Sequence, residues 1–381
     1  MGGKIIAAGH ICLDITPVFS ERDRCGAVDE LLRPGKLISV QPAEIHAGGS
    51  VANTGLALKL LGADVRLMGK IGDDLFGALV RDCLRRHGGA DDLIVDPGSS
   101  TSYSIVLAPP GIDRIFLHNP GANDTFSGGD IPDEALTDAV WFHFGYPPLM
   151  RGMYEDGGAE LAALLRRVRG RGIVTSLDLA AVDPDSAAGQ ADWAEILARV
   201  LPQTDFFVPS FEELSFMLDR PRHDALAALG GDMTRHLSME RDVRPLGQKC
   251  LRLGCRAVLI KCGLSGLYYC TAERTSVEKI GGRLTLDADL WAGREGVQPC
   301  FRADAVRSGT GAGDASIAAF LAAVMQGRAP ETCAALAAAE GACAVTAYDA
   351  LGGLRPLDQL EERIASGWAI LRGERDACQP E

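Results

Sequence analysis

The sequence predicts an α/β fold with a mostly parallel central sheet, helices on both faces, and a small second β-sheet. Three observations lead there. From about residue 139 the chain alternates short apolar runs with helix-length stretches, as βα units do. Two glycine-rich turns, at Gly48-Gly49 and over Gly309–Gly313, each feed an apolar run of helical spacing. Residues 15–45 and 100–120 interrupt this rhythm and read as β excursions off the main sheet.

The 381 residues, 47% hydrophobic and 23% charged, suffice for one large α/β domain, and a single domain over 1–381 is expected. The net charge of −13 argues against a nucleic-acid or anionic-membrane surface. No run approaches the roughly 20 apolar residues of a membrane span. Lys4–Ala8 is too short for a secretory h-region and lacks a basic flank. The expected location is therefore the cytosol. None of the 11 cysteines forms a CxxC pair, and the spacing of Cys250, Cys255, Cys262 and Cys270 fits no zinc pattern. They read as small buried hydrophobes.

Taken in order, Lys4–Ala8 before Gly9 reads as a buried parallel strand, with Asp14 just past its C-terminal end, the edge where open α/β sheets bind ligands. Leu37–Val40 reads as a strand in the first excursion. Gly48-Gly49 opens a helix with Asn53 one turn in and Gly62 as its stop. Asp64–Met68 is a strand; Gly69–Gly77 turns into a helix to about His87. The lysine of Gly69-Lys70 has neither the spacing nor the following Ser/Thr of a P-loop. Thr101–Ala108 and Arg114–His118 read as strands around a Pro-Pro-Gly turn. Residues of about 15–47 and 100–122 would pair as a small sheet lying over the main domain.

Strands follow at Ala139–Gly145, Ile173–Asp178, Asp205–Val208 and Ala257–Lys261, with helices to about Gly170, around Trp193–Val200 and from Phe211. The charged stretch of about 219–250 reads as a helical surface insertion. Ala329–Thr346 and Asp358–Leu371 read as the last two helices.

Gly309-Thr310-Gly311-Ala312-Gly313-Asp314 carries the chemistry. Its glycines leave the backbone bare, and Ile317, Phe320, Leu321 and Val324 continue at helical spacing. A helix N-terminus offers unpaired N–H groups and a partial positive charge, which suit a phosphate. A carboxylate there would repel that phosphate unless it has a task. The task expected of Asp314 is to take the proton from a hydroxyl that attacks the phosphate.

With Gly48-Gly49 and Asn53 near the start and Gly311–Asp314 near the end, the chain resembles the ribokinase-like (PfkB) family of sugar and nucleoside kinases over nearly its whole length. The early block, GGSVANTGLALKLLGADVRLMGKIGDDLFG, is similar to that family's first signature, and GTGAGDASIAAFLAA to its second. The resemblance implies a lid made of the β excursions, with Asp14, Gly48, Gly49 and Asn53 holding substrate hydroxyls. It implies that Asp314 is the base and that the N–H groups of Gly311, Ala312 and Gly313 form the anion hole. It implies a nucleotide contact at Lys261, Gly263 and Gly266, and ATP with Mg²⁺ as cosubstrate and cofactor. Ser210-Phe211-Glu212-Glu213 sits where the family has N-x-x-E, so Ser210 would face the nucleotide and Glu213 would help organise Mg²⁺. The family's late block usually opens D-T-T or D-T-N, its Asp serving a monovalent-cation site. Ser308-Gly309-Thr310 stands here, which leaves a potassium requirement open. Ala338 stands where an Asn often lies near the adenine.

Asp14 and Asn53 suit a polyol. A nucleoside pocket would add aromatic lid surfaces, and residues 15–45 offer only Phe19. A phosphorylated sugar would need basic residues, for which Lys70 and Arg114 are the candidates. A neutral sugar or sugar acid is expected first, a nucleoside next, with a non-catalytic sugar or nucleotide sensor on this fold as the reading from another class. Gly145-Tyr146, where ribokinases proper tend to carry a Glu, leans towards fructokinase-like members. An apolar outer face on the lid would permit a homodimer.

Overall fold

A computed structural model describes residues 3–112 and 114–371. In chain order the strands are β1 (Lys4–Gly9), β2 (Cys12–Val18), β3 (Gln41–Gly48), β4 (Asp64–Met68), β5 (Lys70–Gly72), β6 (Ile94–Asp96), β7 (Tyr103–Leu107) and β8 (Ile115–Asn119). They continue as β9 (Ala139–Gly145), β10 (Val174–Leu177), β11 (Phe206–Phe207), β12 (Ala257–Lys261), β13 (Leu267–Thr271) and β14 (Glu295–Gln298). The main sheet has eight strands in the order β14-β13-β12-β11-β10-β9-β1-β4. It is parallel from β12 to β4, and β13 and β14 add an antiparallel edge beyond the βα units that the sequence marks.

Both faces of this sheet are covered, and β1 shows why. Side chains alternate along a strand, so Ile5 and Ala7 enter one apolar core while Ile6 and Ala8 enter the other. A strand buried on both sides must be apolar throughout. The first core takes the helices Ser50–Leu60, Ala312–Met325 and Pro330–Ala344; the second takes Arg151–Arg169, Trp193–Val200 and Phe211–Leu218. The Ala312–Met325 helix is almost entirely buried, as an apolar, Ala-rich sequence requires.

A separate four-stranded sheet has the order β3-β2-β7-β8. Its register lines up Ile45, Ile15, Ile105 and Leu117 on one face, and His46, Asp14, Ser104 and His118 on the other. The alternation of the pleat thus makes one apolar and one polar face from strands that look irregular one by one.

Several expectations change. Asp14 lies past the end of β1 as expected, but within a strand of its own, β2, where it pairs with His46. Leu37–Val40 is not a strand; Leu37 is exposed, and the strand begins at Gln41. Gln41–Gly48 is mostly solvent-exposed and contains Pro42, so only its ladder with β2 defines it. Lys70–Gly72, expected as part of a turn, pairs in parallel with β6.

Residues 219–250 are not a solvated insertion throughout. Leu226, Val243, Leu246 and Cys250 are buried in the second core, and the helix Arg244–Arg252 packs on β12 and β13. Its charges occupy one face and hid the apolar one. The last helix among the described residues is Leu357–Ala365; after it Gly367 adopts φ 88° and Ile370 bridges Phe301. Among the described residues no helix is long and apolar enough to cross a membrane.

Candidate active site

The Ala312–Met325 helix begins at Gly311, whose left-handed backbone (φ 74°) turns the chain into the helix. A Cβ on Gly311 would lie 2.3 Å from that of Ala350, so no larger residue fits. No side chain caps this end; Ala312 N reaches back to the Gly309 carbonyl at 3.3 Å, and the N–H groups of Gly313 and Asp314 have no intrahelical partner. Asp314 sits in this first turn and is buried.

Three donors from distant parts of the chain converge on the Asp314 carboxylate. Thr54 Oγ1 donates to Oδ1 at 2.8 Å and Asn53 Nδ2 to Oδ2 at 3.2 Å, both from the Ser50–Leu60 helix. The Tyr146 hydroxyl lies 2.9 Å from Oδ1 and 2.8 Å from Oδ2. Tyr146 follows β9 with φ 64° and ψ 43°, a left-handed conformation uncommon for a bulky residue. Burial raises the proton affinity of Asp314; the bonds from Thr54, Tyr146 and Asn53 and the charge of Lys261 hold part of that rise back. The outcome is a carboxylate more basic than usual, as a proton acceptor requires.

Lys261, at the end of β12, is the cation of the site. Its Nζ donates to Asp178 Oδ1 and to the Val208 carbonyl, each at 2.7 Å. Its side chain runs beside Gly313, where a Cβ would lie 3.6 Å from Cε. Burial works against the ammonium, yet Asp178, Glu213 and Asp314 outweigh it and hold the lysine charged. Asp178 is pushed up to about 8, first by burial and then by its acidic neighbours, against the pull of Lys261. Around one lysine there is thus a surplus of carboxylates.

Ser210 and Glu213 form a reciprocal cap on the Phe211–Leu218 helix: Ser210 N donates to Glu213 Oε2 at 2.7 Å, and Glu213 N to Ser210 Oγ at 3.2 Å. Ser210 also bridges Lys261. Gly263 and Gly266 frame the turn after β12 with φ 50° and 98°. A Cβ would meet Thr234 Oγ1 at 2.5 Å in the first and the Gln298 carbonyl at 2.3 Å in the second. Both glycines therefore have a steric reason of their own.

On the other side, the polar face of the small sheet turns towards the same place. A Cβ on Gly48 would lie 2.0 Å from Asp14 Oδ2, and one on Gly49 (φ 84°) would lie 2.6 Å from both Nδ1 and the carbonyl of His10. These glycines therefore let Asp14 and His10 close onto the backbone. Burial raises the Asp14 carboxyl, and bonds from Cys12 and Ser104 oppose the rise. His10 is buried; its ring lies 5.3 Å from that of His118 and 6.1 Å from that of Tyr146. Burial, aided by His118, lowers the His10 pKa to about 3, so the ring is neutral. His118 Nδ1 and Ser104 Oγ are 3.0 Å apart.

The residues singled out in the sequence thus form two groups. Asp314, Gly311, Ala312, Gly313, Asn53 and Lys261 meet around the helix start, with Ser210 and Glu213 behind Lys261. Asp14, Gly48 and Gly49 meet under the small sheet, and His10 and Tyr146 link the groups. The sequence did not single out Thr54, Asp178, His10, Ser104 or His118. Asp178 was within reach, because it lies just past the end of β10, the same sheet edge that drew attention to the start of the chain.

Lys70 is not available to a substrate: its Nζ donates to the Thr125 carbonyl at 2.9 Å and to Asp130 at 3.2 Å. Arg114 donates to Thr310 Oγ1 in the glycine-rich turn. An open cavity of about 610 Å³ lies between β3 and residues 346–355, lined among others by His46, Arg307, Tyr348 and Arg355, on the Ala350 side of Gly311. Among the described residues no group of three or more His, Cys, Asp or Glu is arranged to hold a metal ion.

Residues 12–355 match the family described as pfkB family carbohydrate kinase. Fructokinase-2 of Oryza sativa subsp. japonica is 27% identical over 180 residues, 46% of this chain and 52% of that protein. The match thus spans about half the length of that curated relative. Probable fructokinase-4 of Arabidopsis thaliana is 25% identical over 329 residues, 85% of this chain and 83% of its own. Among solved structures, Arabidopsis thaliana ribokinase complexed with ribose and ATP has a TM-score of 0.68 at 20% identity, over 95% of this chain and 98% of that one. Xylella fastidiosa fructokinase with bound ATP has a TM-score of 0.67 at 21% identity, with the same coverage. At these identities the two structures establish the ribokinase-like fold.

Proposed function

The chain belongs to the pfkB family of carbohydrate kinases, and on that premise we propose that it transfers the γ-phosphoryl group of ATP to a hydroxyl of a neutral sugar or sugar acid. One observation carries the reading. A buried carboxylate of raised basicity, Asp314, stands in the first turn of a helix that no side chain caps, with Lys261 alongside. Phosphoryl transfer needs positioning, charge neutralisation and a group that orients the nucleophile. Fixed N–H groups at Gly311, Ala312 and Gly313 receive charge as it moves onto the γ-phosphoryl oxygens without reorganising. Asp314 takes the acceptor's proton as its oxygen attacks phosphorus and ADP leaves.

Asp14, with Asn53 and the Gly48-Gly49 backbone, would hold acceptor hydroxyls. Ser104 and His118 extend the same polar face. The engagement of Lys70 by Thr125 and Asp130 favours an acceptor without phosphate. The fructokinases among the relatives support fructose as the first candidate to test. The small sheet would act as a lid that excludes water, a competing acceptor. The exposed ends of its apolar row, Ile45 at 42% and Leu117 at 52% exposure, support pairing with a second copy of the chain.

The nucleotide would lie along Lys261, Gly263 and Gly266 with Ser210 nearby. Mg²⁺ fits the donor chemistry here: Glu213 and its acidic neighbours supply hard oxygens. With no three-ligand protein cluster among the described residues, the ion would reach Glu213 through water and the ATP phosphates. Bound there, it would neutralise charge on the β- and γ-phosphoryl oxygens. Ser308 Oγ accepts from Thr310 N at 3.1 Å, so a short neutral side chain organises the turn. We expect turnover without potassium. A cytosolic setting, where ATP is at hand, goes with this reaction.

The test is incubation with ATP, Mg²⁺ and a panel of sugars, sugar acids and nucleosides, following ADP and the phosphorylated product. Acceptor-dependent ADP with a hexose or pentose is expected. ATP binding without acceptor-dependent ADP across the panel would overturn the kinase reading in favour of a sensor.

A further inference from the structure

The base is already surrounded by three donors. An ionised carboxylate offers about four lone-pair sites on two oxygens. Here Oδ1 is within bonding distance of Thr54 and Tyr146, and Oδ2 of Asn53 and Tyr146. One lone pair is unbonded at any moment, but the Tyr146 oxygen stands 2.9 Å from Oδ1 and 2.8 Å from Oδ2 and keeps a fourth donor, the acceptor's hydroxyl, away from both until it withdraws.

Thr54 is fully buried within a helix, and Asn53 precedes it on the same helix. Tyr146 differs from both. It lies outside the regular elements, between β9 and the Pro147–Leu149 turn, and its left-handed backbone is strained for a bulky residue. Its single O–H proton is shared between two oxygens, so it makes one bond at a time where each of the others makes its own. The two oxygens it straddles are those that must accept the substrate proton.

We propose that the Tyr146 hydroxyl is a placeholder for the acceptor: it occupies the donor position on Asp314 until the attacking hydroxyl displaces it. This rests on the kinase reading above and deepens it. The Tyr146 proton stays on Tyr146, since burial and the nearby carboxylates push its ionisation well above the usual phenol range. The acceptor's O–H proton passes to Asp314, the acceptor's oxygen bonds to the γ-phosphorus, and the bond to the ADP oxygen breaks with its electron pair on ADP.

Two consequences follow. While Tyr146 holds the base, water cannot use it, so ATP is protected when no acceptor is present. Tyr146 also helps keep Asp314 ionised, and so sets the acid limb of the pH profile.

The test is Tyr146→Phe, which keeps the ring and removes the donor, with thermal unfolding as a check on folding. Three readouts are expected to move together. Acceptor-independent ADP release rises by roughly tenfold or more, the worth of one hydrogen bond to a charged group. Acceptor affinity measured by calorimetry without nucleotide rises several-fold, because no internal donor competes. The pKa of Asp314, read by carboxyl ¹³C NMR, moves up by about one unit, because a bond that favours the charged form is gone. A residue that merely lines the wall would weaken acceptor binding and leave the other two unchanged; that pattern overturns the proposal. The NMR arm needs no turnover. If no acceptor is ever phosphorylated, the kinase reading fails, and an unmoved Asp314 titration in Tyr146→Phe separately sinks the placeholder.

Discussion

Gly48→Ala makes a sharp test of the acceptor side, because the added methyl meets one functional group. Its Cβ would lie 2.0 Å from Asp14 Oδ2, 2.6 Å from Cγ and 2.9 Å from Oδ1. Non-bonded carbon contacts relax near 3.5 Å, so the carboxylate must retreat by more than about 1 Å. The backbone does not resist the change: Gly48 is not among the positive-φ glycines and pairs with Cys12 in the ladder. The cost therefore falls on Asp14, which swings away from Cys12, Ser104 and the acceptor. A hydrogen bond to a charged group contributes about 1.5–3 kcal/mol, which translates to a loss of roughly 10- to 100-fold in kcat/KM for the acceptor. Steady-state kinetics with the best acceptor measures this loss; the melting temperature and ATP affinity should hardly move. Asp14→Ala should lose a comparable amount, and the double variant little more than Asp14→Ala alone, since both act through one carboxylate. Full acceptor kcat/KM in Gly48→Ala, or additive losses in the double variant, would refute the reasoning.

Asp314→Asn should lower turnover by roughly 10² or more with both substrates still bound, read by kinetics alongside calorimetry; Tyr146 and Asn53 can reorient to accept the new amide. Glu340 is buried with Oε2 unpartnered, and its pKa is raised to about 7 from 4.5. Its folded form holds a proton that the unfolded chain has released between those values, so stability falls as pH rises from 4.5 to 7. Glu340→Gln should remove that slope and stabilise the protein at pH 8 by up to about 3 kcal/mol, measured by denaturant unfolding at several pH values. Lys261→Met strands Asp178, and a loss of about 3 kcal/mol is expected well above pH 8, where the paired carboxyl is ionised. The loss should shrink in acid, where Asp178 takes a proton instead; equal loss at both pH values would count against the pair.

Much of the fold is legible from local patterns, and the irregular parts show where such patterns stop. Ala139–Gly145 and Ala257–Lys261 are apolar on both faces, a signal that any βα strand carries by itself. Gln41–Gly48 carries no such signal, because it is exposed along most of its length and held by its partner strand. The helix Arg244–Arg252 misled for the opposite reason: its charges are conspicuous in sequence, and its contact with β13 is not.

The site divides the same way. Glycine-rich turns and the acid that follows one of them are contiguous, so Gly48-Gly49 and Gly311–Asp314 announce themselves in the sequence. Their chemistry is local, since backbone conformation and a helix start are decided within a few residues. The partners of Asp314 are not local: Thr54 lies 260 positions away and Tyr146 lies 168 away. The pairing of Lys261 with Asp178 spans 83 positions. Hydroxyls, an amide and a lysine are common residues, and nothing in their neighbours marks which of them will meet a given carboxylate. The sequence by itself determined that a glycine-rich helix start, an acid in its first turn and a bare Gly48-Gly49 turn exist. Only the tertiary structure decided that burial makes the acid basic, that Lys261 sits among Asp178, Glu213 and Asp314, and that the Tyr146 hydroxyl stands against both oxygens of the acid.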